Sequence, residues 1–257
     1  MPFLIENKLI DQLKKLSDEF GVTGIKAEFE AEGSDYNDVI RLRNLTGRTS
    51  NVDLHVKIGG VEAVRDIIDC LEIGVDGIIA PMVESAFGAQ KFISSVKKFE
   101  IENTMHCSIN IETRSGILDL DSILKVSNGV IDNITVGRSD LSSSYIGKYL
   151  TPNSDFIAKK VISVAKRAKE YDYSVTMGGS IDFDTIRLFS KIPDIRSSLN
   201  CIETRKVIIP TSILMDNPSV LGEAIKFEEI YVLTKKAYLD RRVKNELNRL
   251  TNLKTRT

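Results

Sequence analysis

Two short runs, Val52-Asp53-Leu54-His55-Val56-Lys57-Ile58 and Asp76-Gly77-Ile78-Ile79-Ala80-Pro81, bracket a helix-like stretch over 61–73. In the first run Leu54, Val56 and Ile58 alternate with His55 and Lys57, which is the period of a strand. The second is continuously apolar and stops at a proline, as a strand buried on both faces does. Strand, helix and strand within about 30 residues make a βαβ unit, which sets its two strands parallel.

The unit recurs in both directions. Residues 24–29 read as a strand and 35–46 as a helix. Beyond Pro81 come a helix over Phe87 to Phe99, a strand from His106 to Ile111, and a helix from Ile117 to Val126. A strand over Val130 to Val136 ends in a turn at Gly137, and Phe156 to Tyr171 is an amphipathic helix. Tyr173 to Met177 is a strand stopped by Gly178-Gly179, and Phe183 to Ser190 is helical. Ile195 to Leu199 and Thr204 to Ile209 read as two more strands. Eight strands with helical crossovers predict an α/β fold, a single (β/α)8 TIM barrel. A doubly wound open sheet would carry a glycine-rich turn after its first strand, and none is present.

Two pieces lie outside the eight units. Residues 4–20 predict a preceding helix, and 219–253 a long C-terminal helical extension. The expected division is a catalytic barrel over 1–215 and a packing or oligomerisation extension over 216–257. The extension offers Leu221, Ile225, Tyr231, Leu239, Val243, Leu247 and Leu250 as apolar positions beside Lys235, Lys236, Arg241, Arg242, Lys244 and Arg249. That pattern is read as a solvated face opposite a packed one, set on the barrel or on another subunit.

Composition narrows the function classes. The 257 residues carry a formal net charge of −1, which gives no global basic field for nucleic acid. No apolar run is long enough to span a membrane, and Met1-Pro2-Phe3-Leu4-Ile5-Glu6 lacks the pattern of a signal peptide. Cys70, Cys107 and Cys201 fit no zinc spacing; their odd number suits reduced thiols in the cytoplasm.

The alternation also sorts polar residues. Lys26, Glu28 and Glu30 share one face of the first strand, opposite Ile25, Ala27 and Phe29. Asn110 and Glu112 share a face opposite Ile109 and Ile111, and Glu203 and Arg205 share one on the last strand. The apolar faces belong against the helices, so the charged sets point inward. Buried charges are costly unless paired or bound to a metal. Internal ion pairs such as Glu28 with Lys57 or Lys26 with Glu203 would answer that cost for individual residues; a functional site at the mouth would answer it for the set. Glu112 ends the fourth strand and Asp140 follows the fifth, where barrel enzymes place catalytic groups. Two carboxylates with waters and a bidentate ligand make an octahedral oxygen site, which suits Mg²⁺ or Mn²⁺ better than zinc. Such a metal polarises a keto-acid carbonyl and stabilises the enolate formed when a carbon–carbon bond breaks.

Three segments, Ala80-Pro81-Met82-Val83-Glu84-Ser85, Ile109-Asn110-Ile111-Glu112-Thr113-Arg114 and Val136-Gly137-Arg138-Ser139-Asp140-Leu141-Ser142, resemble in order and spacing the HpcH/HpaI aldolase and citrate lyase β-subunit family of the phosphoenolpyruvate/pyruvate barrel superfamily. The resemblance covers roughly residues 22–210 and implies that Glu112 and Asp140 are the metal ligands. It implies that backbone N–H groups around Ser139 and Asp140 receive a substrate carboxylate. It puts Asn110 near bound pyruvate and Lys57 where the family has an arginine on the keto oxygen. It also implies a trimer or hexamer.

The chain departs from the family at several places. Lys57 offers a point charge and no planar fork. The loop Glu30-Ala31-Glu32-Gly33-Ser34-Asp35 lacks the histidine that aldolases of the family carry, leaving Glu30, Glu32 or Glu84 as the general base. His55 lies below Lys57, and His106, at the far end of its strand, is structural. The family's Gly-Pro is Gly137-Arg138 here, so Arg138 is either an added anion contact or a solvent-facing arginine. Lys57-Ile58-Gly59-Gly60 does not reproduce the citrate-lyase arginine signature, which argues against a CoA thioester. Gly59-Gly60 and Gly178-Gly179 form tight turns or cradle a phosphate, the latter pair being better placed for it.

The expected activity is a metal-dependent lyase that splits or forms a 2-keto-acid adduct, with pyruvate or phosphoenolpyruvate as one half. The alternatives are a related reaction on a thioester or phosphorylated substrate, and a barrel without turnover that serves as a binding or assembly subunit. A small-molecule keto-acid, a homo-oligomer, and neither nucleic acid nor membrane are the expected partners.

Overall fold

The computed structural model describes residues 2–49, 51–193 and 195–256, with Pro2 and Phe3 described in their backbone only. Eight strands among them, β1 (Gly24–Glu28), β2 (Asp53–Lys57), β3 (Gly77–Ala80), β4 (His106–Ile111), β5 (Asn133–Gly137), β6 (Ser174–Gly178), β7 (Cys201–Glu203) and β8 (Val207–Pro210), close into a barrel in sequence order. The apolar face of each strand meets the helices: Ile25 and Ala27, Leu54 and Val56, Ile109 and Ile111, and Ile134 and Val136 are fully buried in the core. The polar alternates Lys26, Lys57, Ser108, Asn110, Asn133 and Thr135 are also buried, inside the barrel. There Asn133 donates to Ser108 Oγ at 2.8 Å and to Thr135 Oγ1 at 3.0 Å, and accepts from Thr176 Oγ1 at 3.0 Å. Ser108, Asn133, Thr135 and Thr176 thus satisfy one another inside the barrel.

The helices run in chain order as α1 (Pro2–Asp18), α2 (Tyr36–Thr46), α3 (Val64–Ile73), α4 (Ala86–Lys98), α5 (Arg114–Leu118), α6 (Leu120–Ser127), α7 (Arg138–Ser143), α8 (Asp155–Lys169), α9 (Phe183–Phe189), α10 (Ile195–Ser198), α11 (Thr211–Asp216) and α12 (Ser219–Lys254). Local chemistry marks their starts. Asp35 and Asp182 form capping boxes with Asp38 and Thr185, and Ser85 and Thr113 accept from Gly88 and Gly116 N–H groups. Such caps are worth about 1 kcal/mol each. The helix expected over 117–126 is split at Asp119, which caps one piece and begins the next.

The barrel's closure corrects the sequence expectation. Ile195–Ser198 is helix α10, not a strand; the seventh strand is Cys201–Glu203, and β8 begins only at Val207. Strands β1 to β7 pair in parallel, whereas β8 runs antiparallel to both β7 and β1. Three residues separate Glu203 from Val207, and a parallel crossover needs a dozen or more. A hairpin is what so short a link permits. It is locked by Thr204, whose N–H donates to Val207 O at 2.9 Å and whose Oγ1 accepts from Val207 N–H at 3.0 Å.

The long helix α12 behaves as two halves. Val220, Leu221, Ala224, Phe227 and Tyr231 belong to the same core as Leu9, Leu13 and Leu16 of α1. Each valine, leucine or phenylalanine among them contributes roughly 1.5–3 kcal/mol on burial. Polar contacts fix the pairing: Gln12 Nε2 donates to Glu223 Oε2 at 2.8 Å, and Lys15 pairs with Glu223 at 2.8 Å. Beyond Lys235 every described residue except Ala237 is exposed. No described helix is long and apolar enough to cross a membrane.

Candidate active site

A cavity of about 470 Å³ opens at the C-terminal ends of the strands. Lys57 closes β2, Glu112 directly follows β4 with Asn110 two residues back on the same face, and Asp140 sits in α7 immediately after β5. All four side chains line the cavity, together with Ser139, Gly178 and Gly179. The barrel has to make room for them. A Cβ on Gly137 would stand 2.4 Å from Glu112 Oε2, and one on Gly178 would stand 2.9 Å from Glu203 Cγ. Those two glycines are therefore required by the carboxylates beside them. Gly179 has φ +87°, and a Cβ there would lie 2.6 Å from Ser139 N.

Glu112 is 2% exposed and held on both oxygens. Its Oε1 accepts from the Met82 N–H at 3.0 Å and its Oε2 from Asn110 Nδ2 at 3.1 Å, while Lys57 Nζ stands 3.9 Å from Oε1. Met82 presents that N–H from a backbone with φ +51°, a region that non-glycine residues enter at some cost. Burial raises the Glu112 pKa above the usual carboxylate value; Lys57 opposes the shift and Asp140 adds to it. Asn110 Oδ1 is buried without a hydrogen-bond partner.

The neighbouring charges are largely spoken for. Lys26 Nζ pairs with Glu203 at 2.7 Å and Glu28 at 3.3 Å. Burial works against that ammonium, yet Glu203 and Glu28 outweigh it and hold its pKa above the ordinary lysine value. Arg205 reaches Glu28 at 3.6 Å, and Lys57 Nζ pairs with Glu30 at 2.9 Å. The expected Lys26–Glu203 pair is present; Glu28 pairs with Lys26 and Arg205 rather than with Lys57. Even so, five lining carboxylates, Glu28, Glu112, Asp140, Glu203 and Glu228, face only three cations, Lys26, Lys57 and Arg205. The excess is negative. With the orphaned Asn110 oxygen it forms a donor set of oxygens only, which fits a hard divalent cation. Glu112, Asp140 and Asn110 Oδ1 are the groups that would hold one. No cluster of three or more His, Cys, Asp or Glu side chains suited to a metal occurs among the described residues, so the protein's own carboxylates at such a site are two.

Other candidates fall elsewhere. Glu30 is exposed at the rim with its carboxylate on Lys57. Glu84 is exposed and outside the cavity lining, which does not suit it to the general-base role expected of it. Glu32 is bound by Lys206 beneath α12. Arg138 corrects the sequence expectation of a substrate contact. It is fully buried, and its guanidinium donates to six acceptors, Gly178 O, Pro152 O, Asn153 Oδ1, Gly179 O, Ser180 O and Thr185 Oγ1, the last three sharing Nη2. It staples the loop after β6 to the loop before α8, and burial, against Asp182, draws its pKa down to about 10. The Gly59 N–H donates to Asp66 Oδ2 at 2.6 Å, which takes it from any phosphate. His55 stacks edge-on against His106 at 5.2 Å, in space left by Gly77. Burial, with His106 and Lys26 adding, presses its pKa down to about 3, so it stays neutral.

One lining carboxylate, Glu228 of α12, escaped the sequence reading altogether, and Ile225 of the same helix was expected only as an apolar packing position. The periodicity of 219–253 shows which residues share a face but not that this face leans over the barrel mouth. Lys206, 1% exposed and with Nζ 4.5 Å from the Tyr231 ring, helps fasten the helix there.

The HpcH/HpaI aldolase/citrate lyase family model matches residues 42–181, more than half of the chain and the part that holds Lys57, Asn110, Glu112, Asp140 and Gly178. Among solved structures, an HpcH/HpaI aldolase/citrate lyase family protein from Burkholderia cenocepacia J2315 superposes with TM-score 0.61 at 14% identity, over 87% of this chain and 90% of that one. The HpcH/HpaI aldolase from Desulfitobacterium hafniense DCB-2 gives 0.61 at 16%, over 84% and 89%. The citrate synthase SbnG gives 0.60 at 17%, over 93% and 91%. At such identities these likenesses speak for the fold. No curated protein matches the chain significantly. Members of the matched family are generally lyases of the aldolase and citrate lyase type and generally depend on a divalent metal. A closed eight-stranded barrel, a mouth with excess carboxylate and a match across β2 to β6 together place this chain in the HpcH/HpaI aldolase/citrate lyase family.

Proposed function

We propose that the protein is a divalent-metal-dependent carbon–carbon lyase that cleaves or forms a 2-keto-acid adduct, with pyruvate or phosphoenolpyruvate as one half. The observation that carries this reading is the convergence of Glu112 and Asp140 on one cavity with Lys57 and the unpartnered Asn110 oxygen. A bound Mg²⁺ or Mn²⁺ would polarise the keto carbonyl and offset negative charge developing on its oxygen. The chain supplies the rest. Lys57, held by Glu30, places a fixed ammonium beside that oxygen, where a preorganised charge favours the transition state over the ground state. Gly179 lets the loop after β6 come close to Ser139, and the backbone around Ser139 and Asp140 is suited to receive the substrate carboxylate.

The test is aldol cleavage by the purified protein, lost in EDTA and restored by Mg²⁺ or Mn²⁺. Protein that binds neither ion overturns the reading. Turnover confined to a CoA ester or to phosphoenolpyruvate would move the substrate class while keeping the chemistry. The exposed apolar residues of distal α12, Leu239, Val243, Leu247 and Leu250, support self-association in solution, which light scattering measures directly.

A further inference from the structure

The carboxylates of the cavity differ in what already holds them. Glu28 is bound to Lys26 and Arg205, Glu203 to Lys26, and Glu112 to the Met82 N–H and the Asn110 amide. Asp140 is taken by the proposed cation. Outside the lining, Glu30 is spent on Lys57 and Glu32 on Lys206. One lining carboxylate is left over. Glu228, from the packed half of α12, is half-buried and makes no hydrogen bond or ion pair among the described residues. The charges that act on it are the cations Arg205 and Lys206 and the carboxylates Glu32 and Glu28. Burial, helped by the two glutamates, outweighs the two cations and lifts its pKa above the ordinary carboxylate value. A carboxyl group free of partners, set in a reaction cavity and titrating closer to neutrality, has the properties of a general acid–base.

We propose that Glu228 is the proton-transfer residue of this site, delivered to the barrel mouth by the C-terminal helix. The assignment rests on the keto-acid lyase reading above. In the enolising step the C3–H bond of the keto-acid breaks and its proton passes to the Glu228 carboxylate. The bonding pair becomes the C2–C3 double bond, and the carbonyl π pair moves onto the oxygen beside Lys57. When the enolate collapses, the same carboxyl group returns a proton to C3, so Glu228 ends as it began. This supplies a base in a chain whose β1 loop has no histidine.

The experiment follows the methyl signal of pyruvate by proton NMR in D₂O with Mg²⁺ and reads Mn²⁺ binding separately by electron paramagnetic resonance. Wild type exchanges methyl hydrogen for deuterium at a rate that rises with pH through the Glu228 ionisation. Glu228→Gln exchanges about 100-fold more slowly and loses that rise, Glu228→Asp recovers part of the rate, and both bind Mn²⁺ as wild type does. Because the Glu228 side chain makes no hydrogen bond or ion pair among the described residues and its pKa is raised, neither variant melts below wild type at neutral pH. Exchange by Glu228→Gln at the wild-type rate with the wild-type pH profile overturns the assignment. So does a wild type that binds Mn²⁺ and exchanges nothing, which leaves the metal site standing. Protein without Mn²⁺ binding removes the site reading, and this assignment with it.

Discussion

Two charged regions share one barrel interior and are built on opposite principles. Around Lys26, on β1 and β7, each buried charge has a partner within 3.3 Å: Glu203 and Glu28 on the one ammonium. Around Glu112, between β4 and β5, the nearest ammonium is 3.9 Å away, Asp140 adds repulsion, and a buried amide oxygen has no partner. The pKa directions follow the same division. Burial should lift Glu28, yet Lys26 and Lys57 bring it below the usual value; burial lifts Glu112 and Lys57 does not bring it back. The paired region is complete in itself. The rim region is left in a state that a bound cation would relieve, which is what separates an internal strut from a site.

The largest effect expected is at the rim. Glu112→Gln keeps the shape and the bond to the Met82 N–H but removes the charge, and metal-dependent turnover falls by about three orders of magnitude. Stability moves the other way. A carboxyl group whose folded pKa is raised keeps its proton in the native state after the unfolded chain has lost it. Apo wild type therefore loses stability as pH rises from the ordinary carboxylate value through the higher folded one. Glu112→Gln lacks that loss, so its melting temperature matches or exceeds that of wild type at neutral pH. A variant that melts well below wild type there would mean that Glu112 belongs with the struts.

Lys26→Met breaks the other half of the comparison. It strands the buried Glu203 and leaves Glu28 only the looser pair with Arg205, and chemical denaturation should show a loss of about 3–5 kcal/mol. A near-neutral result would erase the distinction between the regions. Arg138→Lys gives the smallest change of the three. Lysine reaches fewer of the carbonyls that the guanidinium spans, and denaturation should show a loss of roughly 1–3 kcal/mol. The loop carrying Gly178 and Gly179 should loosen, raising KM more than it lowers kcat. An unchanged stability with lost substrate affinity alone would return Arg138 to the role of an anion contact.

Legibility in the sequence tracks how local the cause is. The alternation Leu54, His55, Val56, Lys57 and the run Gly77–Ala80 are set by the period of a strand, and the elements appear where that period puts them. Glu112 stands out because it directly follows β4, and Asp140 because it lies in the first turn after β5. The closure was not legible: Cys201–Glu203 and Ile195–Ser198 are three and four residues long, too short for either to show the period of a strand or of a helix. Arg138 looks the same in sequence whether it binds ligand or carbonyls, and only the six acceptors around it decide. Glu228 lies 88 residues beyond Asp140 in a helix whose pattern says nothing about what it covers.

The sequence alone therefore determined the barrel and the inward setting of Lys26, Glu28, Lys57, Asn110, Glu112 and Glu203, since period and position along a strand are local properties; Glu30 and Arg205, expected with them, lie beyond the strands and are exposed. The tertiary structure decided which of those charges neutralise one another, which glycines exist to admit them, and that α12 contributes a carboxylate to the mouth. Those outcomes depend on distances between segments far apart in the chain, where a difference of an ångström separates an ion pair from an unpaired charge.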